Sequence, residues 1–95
     1  MKIYISAPIA GYNMGERQRY FASKAEHIKA KGHEPVNPMQ GVKPGTPRHD
    51  TMRKDLQQLL SCDGIMMCQG WEHSDGCTLE HAVARECGLA FIAEV

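Results

Sequence analysis

Four short β-favouring segments alternate with three amphipathic helical segments along this chain of 95 residues. The predicted strands are Lys2–Ser6, Glu34–Val36, Ile65–Cys68 and Leu89–Ala93, and the predicted helices run from about Gly15 to Lys31, Asp50 to Ser61 and Gly76 to Cys87. Such alternation predicts an α/β fold, with helices on both faces of a parallel sheet and right-handed crossovers. Because a chain of this length has room for one core, we expect a single domain over residues 1–95.

The apolar residues of each helical segment predict which of its faces packs on the sheet. They are Phe21, Ala25 and Ile28 in the first helix, Met52, Leu56, Leu59 and Leu60 in the second, and Leu79, Ala82, Val83 and Cys87 in the third. The same periodicity puts Arg17 and Lys24 of the first helix on the solvent face. Three prolines and two glycines predict a long loop from Asn37 to His49.

The strand and helix order favours a flavodoxin-like three-layer sandwich, with a short parallel sheet of strand order 2-1-3-4. In that order the second strand lies on one side of the first strand, and the third and fourth strands lie on the other side. The direction in which strands are added to the sheet therefore reverses between the first and third strands. Ligands of open α/β sheets bind at the carboxyl ends of the strands that flank such a reversal. The loops Ala7–Asn13 and Gln69–Gly76 follow these two strands, so we expect the ligand site between them.

Composition excludes several classes of protein. The chain has 11 basic and 11 acidic side chains, and this balance argues against a nucleic-acid or membrane-surface binder. It has neither an apolar run of about 20 residues nor a signal peptide, so we expect a cytoplasmic protein. Four cysteines lack metal-type spacing and are predicted to be reduced thiols: Cys62, Cys68, Cys77 and Cys87. We expect no metal and no cofactor.

Two carboxylates fall where the helices start at the carboxyl edge of the sheet. Asp55 lies near the first turn of the second predicted helix, and Glu80 lies near the first turn of the third. We therefore expect both carboxylates to face the crevice. Asp63 precedes the third strand at the opposite edge, which predicts a cap or a turn.

The start of the third helix adds a predicted anion site. Ser74 or Asp75 is expected to cap this helix, and the backbone N–H groups of residues 76–78 are expected to point into the crevice. The helix dipole would keep Glu80 ionised, which suits a carboxylate nucleophile. The alternative is that Glu80 is only a favourable acidic residue in a first helical turn.

Three segments together resemble the nucleoside 2-deoxyribosyltransferase family. They are Ile3-Tyr4-Ile5-Ser6, Lys54-Asp55-Leu56 with Asp63 eight residues after Asp55, and Gly76-x-x-x-Glu80-x-x-x-Ala84. The segment Gly70-Trp71-Glu72-x-Ser74-x-Gly76 is also similar to small bacterial and phage proteins of this superfamily. The resemblance implies a flavodoxin-like fold and cleavage of the N-glycosidic bond of deoxynucleosides or their 5′-monophosphates, by hydrolysis or by transfer.

Carried over position by position, the resemblance implies catalytic roles for three residues. Glu80 matches the nucleophile, Asp55 the acid that contacts the leaving base, and Tyr4 a tyrosine that orients the nucleophilic carboxylate. This pairing suits an oxocarbenium-like transition state and a base that needs a proton to leave. The residues predicted to bind the substrate are Ser6, Ser74, Gly76 and Trp71. Trp71 either stacks on a base or packs its loop onto the domain.

Ser74 bears on the substrate class. Six residues before the nucleophile, the nucleoside transferases carry an aspartate that contacts the sugar 5′-hydroxyl. The deoxynucleoside 5′-monophosphate N-glycosidases carry a serine there, which helps to bind phosphate. Ser74 therefore favours a 5′-monophosphate, because an aspartate would repel the dianion. A register shift of one residue would instead bring Asp75 to this position.

The first loop departs from the monophosphate branch, and other functions stay open. Pro8 and Ala10 stand where that branch has a serine and an arginine for phosphate, and Arg17 or Arg19 is either a replacement or a solvated helix charge. The alternatives are a non-catalytic nucleotide-binding module and a protein-interaction domain on the same fold. The expected partner is a small-molecule nucleoside or nucleotide, bound by a homodimer or a higher homo-oligomer.

Overall fold

The structure is a computed structural model that describes residues 1–43 and 45–95. Its elements are β1 (Lys2–Ser6), α1 (Met14–Ala30), β2 (Glu34–Val36), α2 (Arg48–Leu60), β3 (Gly64–Met67), a 3-10 turn (Trp71–His73), α3 (Asp75–Glu86) and β4 (Ala90–Ile92). The first two strands have their predicted bounds, and the remaining elements are shifted by one or two residues. Five described residues of the predicted loop Asn37–His49 form turns and its last two residues begin α2, whereas its Pro44 lies outside the described residues.

All four strands are parallel and lie in the order β2-β1-β3-β4, which confirms the predicted α/β sheet. Tyr4 in β1 is opposite Val36 of β2 on one side and Ile65 of β3 on the other. At the amino edge, the Lys2 N–H donates to Asp63 Oδ2 at 2.9 Å. Asp63 therefore ties the turn before β3 to the start of β1, in agreement with its predicted place away from the site.

Each face of the sheet has its own core, because side chains alternate along a strand. The face covered by α1 buries Ile3, Ile5, Ala7, Phe21, Ile28, Met39, Met66 and Cys68. The face covered by α2 and α3 buries Tyr4, Leu59, Cys62, Ile65 and Ala84. The sheet is thus the middle of three layers, and β1 and β3 supply both cores.

The buried stripes of α2 and α3 differ from the predicted ones. Leu60 and Leu79 were expected in the core but are 56% and 44% exposed, and Cys87 is exposed as well. The buried residues are Asp55 and Leu59 in α2, and Cys77, Glu80 and Ala84 in α3. Each helix is rotated about its axis from the predicted orientation because a carboxylate occupies part of its inward face.

The solvent-face prediction for two basic residues of α1 is wrong. Arg17 is buried, and Lys24 is half-buried, where its ammonium pairs with Glu94 at 2.8 Å. Glu94 also accepts a hydrogen bond from Tyr20 at 2.6 Å. Helical periodicity did not predict these contacts because their partners lie in the loop after β1 and after β4.

The two outer edges of the sheet differ. The Glu34 N–H donates inward to the Met1 carbonyl at 2.9 Å, so the ring nitrogen of Pro35 faces the open side of β2. The Ala90 N–H donates inward to the Asp63 carbonyl at 3.0 Å, so the Phe91 N–H faces the open side of β4. None of the helices in residues 1–43 and 45–95 combines the length and apolar character that a bilayer crossing requires.

Candidate active site

The third and fifth residues of β1 place two hydroxyls on the same face of the sheet. Tyr4 and Ser6 are two positions apart, so both side chains point toward α2 and α3. Both residues are almost completely buried, at 0% and 1% exposure. A buried hydroxyl requires a hydrogen-bond partner, and for both residues this partner is Glu80.

Each oxygen of the Glu80 carboxylate accepts one hydrogen bond from β1. The Tyr4 hydroxyl donates to Oε2 at 2.7 Å, and the Ser6 hydroxyl donates to Oε1 at 2.8 Å. The Tyr4 contact is the one expected from the sequence, whereas Ser6 had been expected to bind substrate. Since a carboxylate oxygen has two lone pairs, one acceptor position per oxygen remains for a ligand.

Glu80 lies in the second turn of α3, deeper than predicted, and its pKa is raised to about 7. Burial is the main cause, and the nearby charge of Asp55 adds to it. The hydrogen bonds from Tyr4 and Ser6 counteract part of this rise in pKa. Burial therefore opposes the ionised form of Glu80 that the helix dipole is expected to favour.

Asp55 lies in the third turn of α2 and is 8% exposed. Its Oδ1 has no hydrogen-bond partner in the described part of the chain. The nearest cation, the ammonium of Lys54, is 3.4 Å from Oδ1, where it forms an ion pair without hydrogen-bond geometry. Burial raises the pKa of Asp55, and the charge of Lys54 opposes that rise. Apart from this ion pair, a buried carboxylate oxygen that accepts no hydrogen bond is free to accept one from a ligand.

Lys54 is a neighbour of the site that the sequence reading did not single out. Its ammonium also donates to the Pro38 carbonyl at 2.8 Å, which joins α2 to the loop after β2. The sequence feature that could have identified Lys54 is its place next to Asp55 in the segment Lys54-Asp55-Leu56. The Tyr4 hydroxyl has a raised pKa because of its burial and the charges of Glu80 and Asp55, so it stays protonated as a donor.

Ser74 caps α3, as predicted, and this changes the predicted anion site. Its hydroxyl accepts from the Cys77 N–H at 3.2 Å, and its carbonyl accepts from the Thr78 N–H at 2.9 Å. Two of the three backbone donors expected to point into the crevice are therefore already engaged. At Gly76, an added Cβ would lie 3.4 Å from the Met52 methyl, so the starts of α2 and α3 approach each other here.

Trp71 packs against α3. Its ring stacks on the His81 ring with a centroid distance of 4.5 Å and an interplanar angle of 6°. The His81 ring in turn lies 4.9 Å from the Phe91 ring, measured between centroids. One face of the indole is therefore covered by the protein itself. This supports the packing alternative, and contact of Trp71 with a substrate stays a prediction.

Two open grooves flank the β2 edge, away from the carboxylates. One, of about 470 Å³, lies between α1 and the loop after β2, and the other, of about 330 Å³, lies between that loop and the end of α2. Neither is lined by Asp55 or Glu80, which lie in the third turn of α2 and the second turn of α3. Within residues 1–43 and 45–95, no cluster of three or more His, Cys, Asp or Glu side chains could hold a metal ion.

Solved structures share this fold. The 2-desoxiribosyltransferase from Leishmania mexicana has a TM-score of 0.74 at 21% identity, over 97% of this chain and 62% of that chain. A 2-deoxyribosyltransferase from Bacillus psychrosaccharolyticus has a TM-score of 0.72 at 17% identity, over 98% and 71%. The CMP N-glycosidase of Clostridium botulinum has a TM-score of 0.64 at 20% identity, over 98% and 67%. The chain thus spans less than two thirds of the Leishmania protein.

These likenesses confirm, at the level of the fold, the resemblance inferred from the sequence. No curated protein matches the chain in sequence. Residues 1–93 match the family described as Domain of unknown function (DUF4406). The chain therefore belongs to the DUF4406 family, and it has the fold of the nucleoside 2-deoxyribosyltransferases.

Proposed function

We propose that this protein cleaves the N-glycosidic bond of deoxynucleosides or their 5′-monophosphates, with Glu80 as the nucleophile. The observation that carries the proposal is the burial of two carboxylates, Asp55 on α2 and Glu80 on α3, on the same face of the sheet. Glu80 is oriented by two hydroxyl donors at 2.7 and 2.8 Å, and Asp55 Oδ1 accepts no hydrogen bond from residues 1–43 and 45–95. The likeness to transferases and to an N-glycosidase supports the same class of reaction.

In the proposed first step, a Glu80 oxygen bonds to C1′ of the sugar while the C1′–N bond breaks. The bonding electron pair leaves with the base, and the base takes a proton from Asp55. Tyr4 and Ser6 hold both carboxylate oxygens in place, which reduces the reorganisation needed to reach the transition state. Positive charge developing on the sugar is stabilised by the adjacent carboxylate.

In the second step, water or the nitrogen of a second base attacks C1′. The C1′–O bond breaks, its electron pair returns to Glu80, and Asp55 recovers a proton from the attacking group. The carboxylate pair must therefore hold one proton when the reaction starts. Because the pKa of Glu80 is about 7 and Lys54 opposes the rise at Asp55, we expect the last proton to leave near pH 7. We therefore expect kcat/KM to fall above this pH.

Base release measured by chromatography tests the proposal. Wild-type protein, Glu80→Gln and Glu86→Gln are each incubated with the common deoxynucleosides and their 5′-monophosphates. We expect Glu80→Gln to lose at least about 10⁴-fold in rate, because a neutral amide cannot bond to C1′. Glu86 lies on the same helix but is exposed, so Glu86→Gln should retain the wild-type rate. Base release by Glu80→Gln at the wild-type rate would refute the proposed role.

The same experiment separates the alternatives. No base release by wild-type protein, together with nucleotide binding in calorimetry, would indicate a non-catalytic nucleotide-binding module. If the wild-type protein neither releases base nor binds any of the common nucleotides, a protein-interaction domain is the remaining alternative.

For the substrate class we propose a 5′-monophosphate, on the basis of Ser74. Its hydroxyl oxygen accepts from Cys77, but its proton remains available to a phosphate oxygen. Ser74→Asp keeps a strong helix cap and adds a negative charge. Ser74→Ala removes both the cap and the donor. We expect both variants to lower the ratio of kcat/KM for monophosphate over nucleoside by about 10-fold or more. An unchanged ratio would favour nucleosides.

We also propose that the protein works as a homodimer or a larger homo-oligomer. The open β4 edge carries Phe91, which is 48% exposed, and exposed sheet edges are usually covered. Sedimentation at high micromolar concentration should show a species of at least twice the chain mass. A monomer throughout that range would contradict this assembly.

A further inference from the structure

Arg17 is a buried charge that the proposed reaction does not use. It lies in the first turn of α1 and is 7% exposed. Its guanidinium binds Glu16 through two hydrogen bonds, from Nη2 at 2.8 Å and from Nε at 3.1 Å. Because burying a guanidinium is costly, a buried arginine at the end of a loop needs a structural explanation.

The remaining contacts of Arg17 are with the first loop, defined as residues 7–13. Its Nη1 donates to the Pro8 carbonyl at 3.2 Å. Its Cζ lies 4.2 Å from the ring centroid of Tyr12 in the loop, and also 4.2 Å from that of Tyr20 in α1. Arg17 thus holds the loop to α1 near both of its ends, through a hydrogen bond and through cation–π contact.

The loop residues held by Arg17 are also those that reach the second loop, defined as residues 69–74. Gly70 has a φ of +88°, and a Cβ placed there would lie 3.4 Å from Pro8 Cγ and 3.9 Å from the Tyr12 hydroxyl. The second loop ends at Ser74, which caps α3. The two loops follow β1 and β3, directly beyond the hydroxyls that bind Glu80.

We propose that Arg17 is a positioning residue that fixes the first loop against the second and so sets the entrance to Glu80. The proposal rests on the function proposed above. Arg17 does not replace the missing phosphate-binding arginine, because Glu16, the Pro8 carbonyl and two aromatic rings already occupy its guanidinium. Its effect on a substrate is exerted through the loop.

Hydrogen exchange tests the loop contact without any need for activity. We compare Arg17→Met, Arg17→Lys and the control Lys29→Met, which removes an exposed charge from the same helix. In Arg17→Met we expect backbone amides of residues 9–13 and 69–73 to exchange about 10-fold faster, while amides of β1 are unchanged. We expect the exchange rates of Arg17→Lys to lie between those of Arg17→Met and the control. The lysine keeps a charge near the two rings but loses the two hydrogen bonds to Glu16.

Kinetics then test the link to the site. We expect Arg17→Met to raise KM about 10-fold with kcat within twofold of wild type, and Arg17→Lys to rescue part of the loss. Unchanged loop exchange in Arg17→Met would overturn the proposal. A fall in kcat that is fully explained by a smaller fraction of folded protein would also overturn it. If wild-type protein releases no base, the proposed function fails, and the exchange result still decides whether Arg17 holds the two loops.

Discussion

The two faces of the sheet bury different kinds of side chain, although the same strands build both. On the α1 face, the β1 residues Ile3 and Ile5 lie in a cluster of buried apolar side chains. On the α2/α3 face, Tyr4 and Ser6 alternate with them and bind the carboxylate of Glu80. One five-residue strand therefore supplies an apolar core on one side and hydrogen-bond donors on the other.

This difference separates the residues that stabilise the protein from those expected to act in chemistry. A carboxylate in a core lowers stability unless it is well paired, whereas an apolar side chain in that position would raise it. Asp55 and Glu80 occupy such positions on their helices. Variants on the α2/α3 face should therefore change activity more than stability, and variants on the α1 face should do the opposite.

After Glu80→Gln, the largest effect is expected for Asp55→Asn. An amide cannot donate a carboxylic proton to the leaving base, so we expect base release to fall about 10²- to 10⁴-fold. The free energy of unfolding should change little or rise, because the variant buries no charge. Denaturant unfolding and base chromatography on the same sample measure both quantities. A variant with wild-type activity would remove Asp55 from the proposed mechanism.

The second effect concerns stability and pH. Glu80 has a pKa of about 7 in the folded protein, against 4.5 for an ordinary glutamate. The folded state holds the proton more tightly, so the contribution of Glu80 to wild-type stability should fall as the pH rises from about 4.5 to 7. Over this range the fall is about 3 kcal/mol. Glu80→Gln should lack this fall and be the more stable protein at pH 8. Parallel stability curves for the two proteins would contradict the assignment.

A smaller effect is expected for Tyr4→Phe. This variant removes one of the two donors to Glu80 and leaves the ring in place, so we expect about a 10-fold loss of kcat. The Tyr4 hydrogen bond lowers the pKa of Glu80, so its loss should raise that pKa further. The pH at which kcat/KM falls should then move upward. An unshifted pH profile would show that Tyr4 does not control Glu80.

The matched control is Ile5→Val, one residue further along β1. Ile5 points to the α1 face, so the variant should lose about 1 kcal/mol of stability through a missing methylene group. Activity per folded molecule should equal that of wild type. A clear loss of activity would show that the two faces are coupled through the strand.

The sequence predicted the topology because strand and helix identity depends on local patterns. The β-branched and aromatic residues of Lys2–Ser6 marked the first strand, and the bounds of β1 and β2 agree with the structure. The alternation predicted a parallel sheet, and the strand order was the flavodoxin-like order favoured for so few strands. The contact between Tyr4 and Glu80 followed from the family resemblance, because 76 residues separate them and no local pattern joins them.

The errors arose where tertiary contacts reverse the usual preferences of charged and apolar residues. Periodicity assigned Leu79 to the core, but Leu79 is exposed because α3 turns Glu80 inward toward two hydroxyls of β1. Arg17 was expected in solvent because helical periodicity does not show that the rings of Tyr12 and Tyr20 pack against its guanidinium. The role of Ser6 as a donor to Glu80 was likewise not visible until β1 and α3 were placed together.

The proline in β2 has a consequence for how this sheet can grow. A strand that joins an edge needs free N–H donors there, and Pro35 presents none on the outer side of β2. The β4 edge does present one, at Phe91. Two copies that joined through β4 would leave only proline-blocked edges outside, so strand addition would end at a closed pair instead of continuing into a fibre.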